Sequence, residues 1–392
     1  MDKAILNNDI QEYINSNLKT DVADLVLRGM AFEAVEAKEV IEQIEAKKKA
    51  EKKLPTWYNT SNIIYPNKLN IEQTSSEVTA LYKSHLVSGK RLIDLTGGFG
   101  VDCYYFSKQM DEIFHCELNN ELSQITKHNY QILGKTNITC LNENGIEALK
   151  RMDQQFDYIY LDPSRRDSNR KKVFLLSDCT PNVKTFQGLF LKYAKHVLIK
   201  TSPLLDIKAT KNDLNHVKEL HIVAVNNEVK ELLWILEREY NSDVNIKTVN
   251  ITKKENQTFE FKLEDESNAQ VEFSSPLNYL YEPNASILKA GAFNTVSGKL
   301  GVYKLHKHSH LYTSEELIEF PGRSFKIEKT IPYNKKALAK ERIDKANVTT
   351  RNFPLTVGDL RKKLKIKDGG QLYLFFTTNL ENEKIIVICS KM

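Results

Sequence analysis

The stretch Asp94-Leu95-Thr96-Gly97-Gly98-Phe99-Gly100-Val101-Asp102 decides how this chain is read. It continues the strand-like run Arg91-Leu92-Ile93-Asp94-Leu95 and opens a helical segment. In a doubly wound sheet the first strand-to-helix turn lies beyond the carboxyl ends of the strands, where ligands bind. Glycine there lets the backbone turn sharply and approach a ligand with no Cβ in the way. Seventeen residues beyond Gly100, Glu117 closes the next strand-like run, Glu112-Ile113-Phe114-His115-Cys116. A carboxylate in that place accepts hydrogen bonds from both hydroxyls of a ribose. Glycine turn and spaced acid together indicate a nucleoside site.

The turn narrows the choice of nucleoside. A dinucleotide site requires G-x-G-x-x-G with a pyrophosphate at the helix N-terminus. Here the residue three beyond Gly100 is Cys103, and Asp102 would set a negative charge beside that pyrophosphate. No Gly-Lys-Ser or Gly-Lys-Thr follows, which excludes a P-loop. An anionic ligand is disfavoured, whereas a cationic sulfonium with an amino-acid tail suits Asp94 and Asp102.

Outward from the turn, strand-like runs recur at Asn137 to Leu141, Phe156 to Leu161, His196 to Lys200 and Leu220 to Val225, with helix-length segments between most of them. This alternation predicts an α/β, doubly wound Rossmann-like domain with a mostly parallel sheet. A late strand pair is expected over Val244 to Ile251 and Thr258 to Leu263. Upstream, Val22, Leu25 and Val26, then Ala37, Val40, Ile41 and Ile44, mark helices. The second stripe ends in a lysine-rich turn before Leu54-Pro55. Downstream, Gly and Pro punctuate short segments, and Gly369-Gly370 precedes the apolar strand Gln371 to Phe376. The expected organisation is an N-terminal helical region over 1–70, the α/β domain over 71–275, and two small α+β modules over 276–320 and 321–392.

Among 392 residues the five cysteines are scattered, with no C-x-x-C pair, which reads as reduced thiols in a cytoplasmic protein. No run approaches a membrane span, so no membrane partner is expected. Net charge is +5, but residues 321–370 hold 14 Lys or Arg against 5 Asp or Glu. A basic C-terminal segment on a slightly acidic body points to a polyanion. His306, His308 and His310 alternate as on an exposed basic strand, without a companion carboxylate or cysteine, so no metal is expected. Cys179, in a helix-like stretch away from the fourth-strand turn and with no base beside it, reads as inert.

The turn resembles the first motif of class I methyltransferases, in which an acid, two residues and glycines hold S-adenosyl-L-methionine. Asp94, Gly98 and Gly100 match; Thr96 stands where the first glycine usually is. With Asp102 following, the pattern is similar to the D-x-T-x-G-x-G-x-D variant of some rRNA guanine-N2 methyltransferases. The resemblance implies that Asp94 holds the methionine moiety, Glu117 the ribose and Asn144 the adenine. Just after the fourth strand comes Asp162-Pro163-Ser164-Arg165-Arg166. Base-amine methyltransferases carry Asp or Asn, Pro, Pro and an aromatic here. By that likeness Asp162 and Pro163 align an exocyclic amine with the methyl group, a catalytic contribution made by positioning. Ser164 replaces the second proline and Arg165 the aromatic. With Arg166, these are expected substrate contacts, since an arginine plane stacks on a base and its charge holds a phosphate.

The flanks extend the likeness over essentially the whole chain. Glu72 to Lys83, the Asp162 turn, and Arg351-Asn352-Phe353-Pro354-Leu355 followed by Gly369-Gly370 resemble one bacterial family, frequent in Bacteroidetes. Its members join a class I methyltransferase domain to a ferredoxin-like segment and a C-terminal THUMP-like domain. The resemblance implies an RNA partner, rRNA or tRNA, with Arg351, Arg361, Lys362, Lys363, Lys365 and Lys367 on phosphate. Two other readings stand beside it. One is a methyltransferase acting on a protein or small molecule; the other is an RNA-binding module that keeps the cofactor fold without turnover.

Overall fold

The computed structural model describes residues 3–29, 32, 34–165 and 176–392, apart from the side chains of Arg28 and Arg165. The chain forms two compact units, Met1–Lys218 with Leu232–Asn241, and Glu219–Glu231 with Ser242–Met392. Strands follow in chain order as β1 (Gly89–Asp94), β2 (Met110–Cys116), β3 (Ile138–Leu141), β4 (Phe156–Leu161), the short β5 (Ser164–Arg165) and β6 (Cys179–Thr180), β7 (Ala194–Thr201), β8 (Val217–Val225) and β9 (Glu228–Glu237).

In the first unit the sheet runs β3-β2-β1-β4-β7-β9. The first five strands are parallel and β9 is antiparallel to β7. The doubly wound sheet predicted from the alternation is therefore present, with a reversed strand at β9 that the alternation does not show. Because β1 lies between β2 and β4, chain order reverses at β1, and a crevice opens beyond its carboxyl end. Three of the helices that begin at that end are capped by an asparagine. Asn119 caps Asn120–Ile132, Asn144 caps Gly145–Met152 and Asn182 caps Val183–Tyr193. Each cap contributes about 1 kcal/mol and fixes where the loop stops and the helix starts.

The N-terminal helices bury a separate apolar cluster. Val40, Ile44 and Ala50 of the helix Ala37–Lys53 meet Trp57, Ile64 and Ile71. In the helix Val22–Arg28, Leu25 is buried but Val26 is 61% exposed, so the expected stripe there is narrower than predicted. Trp57 lies edge-on to Tyr104 at 4.8 Å and tilted against Phe99 at 6.2 Å. The Trp57–Phe99 packing pins the one bulky side chain of the glycine turn.

In the second unit β8 pairs parallel with β10 (Asn245–Ile251), which pairs antiparallel with β11 (Asn256–Lys262), the expected late strand pair. A seven-stranded sheet follows, built from β12 (Tyr279–Pro283), β13 (Tyr303–Lys304), β14 (Tyr312–Ser314), β15 (Gly322–Pro332), β16 (Asn347–Thr350), β17 (Leu372–Thr378) and β18 (Lys384–Lys391). Its order is β13-β14-β12-β15-β18-β17-β16. The long β15 uses one end against β12 and the other against β18. Leu280, Phe325, Phe375 and Val387 form one core of this sheet, and Leu360, Leu374 and Ile386 belong to another.

Two sequence expectations are corrected here. His306, His308 and His310 lie in a turn, not a strand, and His306 is buried between Asn352 and Asn382. Cys179 lies in β6 opposite Arg165 of β5, beside the fourth-strand turn rather than away from it. Its flanking Thr180 and Pro181 favour an extended backbone over a helix. Among the described residues, no helix is long and apolar enough to cross a membrane, and no group of His, Cys, Asp or Glu could hold a metal ion.

Candidate cofactor and substrate site

The crevice at the end of β1 is assembled by strand register. Asp94 is opposite Tyr160 in β1 and β4, so the next pair on the same side, two residues on, is Thr96 and Asp162. The Thr96 hydroxyl accepts a hydrogen bond from the Asp162 backbone N–H at 2.7 Å and also reaches Asp94 Oδ1 at 3.3 Å. Thr96 therefore ties the turn after β1 to the turn after β4. Glycine has no group for that bond.

Gly98 and Gly100 both have positive φ, +57° and +75°. At Gly100 a Cβ would lie 2.0 Å from the Tyr130 hydroxyl, so packing as well as conformation demands glycine. At Gly98 a built Cβ would touch only the Thr96 carbonyl oxygen, at an ordinary 3.8 Å, so the protein does not crowd that backbone and a ligand can approach it. Glu117 holds the turn from the β2 side. Its Oε2 accepts from Gly98 N–H at 2.9 Å and its Oε1 from Asn119 N–H at 2.7 Å. Each oxygen keeps a second lone pair for a further donor.

The two acids of the turn are in different electrostatic states. Asp94, 2% exposed, accepts from Thr96 N–H at 2.9 Å and from the Cys103 thiol at 3.2 Å, and no cation pairs with it among the described residues. Burial pushes its carboxyl up to about 7, against the opposing pull of the Thr96 and Cys103 hydrogen bonds. Asp102 is compensated instead. Lys83 Nζ, fully buried, lies 3.2 Å from its Oδ1, while Ser75 and Tyr160 hydroxyls donate to Oδ2 at 2.8 and 2.7 Å. Burial works against its charged form, but Lys83, Lys200 and these hydroxyls outweigh it and hold the carboxyl below its ordinary value.

Beneath the turn, His115 is fully buried, and a Cβ on Gly97 would lie 2.3 Å from its Nε2. Burial lowers its ring to about 4, so it is neutral near pH 7. It is a spacer that requires glycine above it. Asn144 turns its side-chain oxygen to Ile146 and Glu147 N–H as the helix cap. At the end of β4, Asp162 Oδ2 is ion-paired with Lys200 of β7, Pro163 is buried and Ser164 is exposed. Arg166 and the Arg165 side chain fall outside the described residues.

Asp94, Thr96, Gly98, Gly100, Glu117 and Asp162 thus converge on one crevice, with Asp102 just behind it. Sequence reasoning did not find Lys83, Tyr160 or Lys200. Lys83 sits in a lead-in helix and Lys200 at a strand end, positions where lysine is ordinarily solvated, and their partners are 19 and 38 residues away.

The basic residues lie in the second unit. Arg361, Lys362 and Lys363 occupy the last turn of the helix Val357–Leu364, where positive charge suits the helix dipole. Lys362, Lys365 and Lys367 are exposed, and Lys363 donates to the Tyr333 hydroxyl at 3.1 Å. Arg361 is ion-paired with Asp368. Arg351 is turned to the buried Glu282 at 2.8 Å, and Glu282 also holds Arg323.

Comparison with known proteins agrees with this architecture. Residues 70–204 match the family "Conserved hypothetical protein 95", 279–321 a ferredoxin-like domain and 322–391 a THUMP domain-like family. No curated protein matches the chain. A crystal structure of a "putative methyltransferase from Porphyromonas gingivalis W83" is 33% identical, covers 99% of this chain and 98% of its own, and superposes with a TM-score of 0.89. Shorter likenesses, each over 41% of this chain, are to a Streptococcus mutans methyltransferase structure with SAH (13% identical, 96% of that chain, TM-score 0.31) and a Streptococcus thermophilus rRNA methylase (11%, 94%, 0.30). With near-complete coverage by the Porphyromonas gingivalis protein and matches to both C-terminal domain models, the chain belongs to the family of that "putative methyltransferase", which carries a ferredoxin-like segment and a THUMP-like domain.

Proposed function

We propose that the protein methylates a base-borne amine in RNA, in rRNA or tRNA, with the guanine N2 amine as the favoured target. The observation that carries this reading is the placement of Asp162 beside the glycine turn, tied to it through Thr96. A carboxylate next to a cofactor crevice is suited to accept from an amine and aim its lone pair.

The crevice fits the cofactor of the family. Gly98 is uncrowded, and Asp94 is a buried carboxyl with no cationic partner among the described residues. When bound, S-adenosylmethionine supplies a methyl group whose carbon–sulfur bonding pair stays with sulfur as the acceptor nitrogen's lone pair forms the new bond. Asp94 would face the cationic methionine end, and Glu117 would accept from the ribose hydroxyls. Asn144 would lie at the adenine through its amide nitrogen. Asp162 would accept from the target amine, with Pro163 shaping the turn and Ser164, Arg165 and Arg166 on the substrate. Transfer to an aligned nitrogen needs no strong base, and the surplus proton leaves to water.

The RNA reading draws on the THUMP-like match over 322–391 and on the basic balance of residues 321–370. Lys362, Lys363, Lys365 and Lys367 would carry the phosphate contacts. The test compares modified nucleosides in rRNA and tRNA from cells with and without the gene by mass spectrometry. Loss of a methylated guanosine is expected. An unchanged profile, with intact cofactor binding by calorimetry, would turn the reading to a protein or small-molecule acceptor.

A further inference from the structure

The parallel register of β4 and β7 pairs Leu161 with Ile199. The next residue of each strand is Asp162 and Lys200, so the two side chains leave their strands side by side at the crevice. Their ion pair joins Lys200 Nζ to Asp162 Oδ2. Lys200 is only 13% exposed and Asp162 37%, so the ammonium is sunk behind a carboxylate that remains open on its outer side. The same ammonium also helps hold Asp102 in its charged form. Opposite charges therefore follow one another from Lys83 to Asp102, Lys200 and Asp162.

The pair acts on geometry. An unrestrained aspartate samples several χ2 values, whereas one oxygen fixed by an ammonium leaves the other with a defined direction. Resting on the reading of Asp162 as the amine acceptor, we infer that Lys200 is a positioning residue for methyl transfer. It fixes Oδ2 of Asp162 so that Oδ1 accepts from the substrate's amine. Lys200 touches neither donor nor acceptor in this role; it acts through Asp162. The lysine also places a cation behind the acceptor, so a target that is neutral before transfer is preferred over an alkylammonium.

The test uses the full-length protein, tritiated S-adenosylmethionine and total RNA from cells lacking the gene. Lys200→Met is expected to lower kcat ~10- to 100-fold, the scale of a displaced catalytic group. KM for the cofactor should change less than about threefold, because cofactor binding is not what the substitution removes. Lys200→Arg, which keeps a cation at Oδ2, should restore most of kcat. Lys200→Ala should regain activity when ethylammonium is added. Wild-type kcat in Lys200→Met, or a loss that appears only as weaker SAH binding or a lower Tm, would overturn the assignment. Wild-type protein that binds SAH but labels no RNA would remove the RNA reading itself, and the assignment with it.

Discussion

Arg351 and Glu282 meet at 2.8 Å, joining the THUMP-like segment to the ferredoxin-like one through a carboxylate that is 4% exposed. Arg323 closes on the other oxygen of the same carboxylate. The arginine of the Arg351-Asn352-Phe353-Pro354 stretch is therefore a brace between segments, where the sequence pointed to a phosphate contact. Glu282→Ala leaves two guanidiniums converging on an empty site and should cost about 3 kcal/mol of stability. Arg351→Ala should cost about 1–2 kcal/mol, because Glu282 keeps Arg323. Chemical denaturation reads both. The salt dependence of RNA binding should stay unchanged in Arg351→Ala.

The lysines behave oppositely. Replacing Lys362, Lys363, Lys365 and Lys367 together by Gln removes exposed charge with little effect on packing. RNA affinity should fall, and the slope of log K against log salt should flatten by about 0.7 for each single-strand phosphate no longer neutralised. Fluorescence anisotropy over a salt series measures it, and an unchanged slope would place the RNA elsewhere.

The two glycines of the turn should separate folding from binding. Gly100→Ala drives a Cβ into the Tyr130 hydroxyl, so a marked loss of Tm is expected. Gly98→Ala meets only the Thr96 carbonyl oxygen, at an ordinary 3.8 Å, and costs only about 1 kcal/mol for its left-handed backbone. It should fold, yet lose SAH affinity on calorimetry, because its methyl occupies the space the ligand needs.

Asp94 sets a pH dependence whose sign follows from its burial. With a carboxyl at about 7, it is largely protonated at pH 6 and largely ionised at pH 8. A cationic ligand favours the ionised form, so binding should release a proton near neutrality. Affinity for S-adenosylmethionine should rise with pH between 6 and 7, below the range where the ligand's own amino group titrates at about 8. Without ligand the sign for folding runs the other way. The raised carboxyl opposes folding progressively as pH climbs from its unfolded value towards 7. Calorimetry in buffers of different ionisation enthalpy counts the proton, and Asp94→Asn should remove both the proton release and the pH slope.

The parallel strands and the glycine turn after β1 were legible because both are local. Apolar runs of strand length, glycines at a helix start and an acid at fixed spacing each fit within about 25 residues. What escaped reading was set by distant partners or by reversed direction. Lys83 and Lys200 have ordinary sequence surroundings; the packing of the helix Glu77–Ser84 against Val101–Phe106 delivers the first to Asp102, and the register of β4 and β7 the second to Asp162. The reversed strand β9 did leave a sign. Asn226 and Asn227, both at positive φ, form the two-residue link from β8, a composition suited to a tight hairpin. Cys179 was misplaced because its partner, Arg165, lies across a stretch with no apolar periodicity to fix its path.

The doubly engaged strand β15 constrains how this family can be dissected. Its leading end completes the sheet of β12 to β14 and its trailing end completes that of β16 to β18. Severing the chain at 321/322 would strip β12 of a neighbour and bare a raw row of amides and carbonyls, an invitation to aggregate. The ferredoxin-like and THUMP-like halves are thus inseparable as folding partners, and any graft or truncation must carry them as a single cassette.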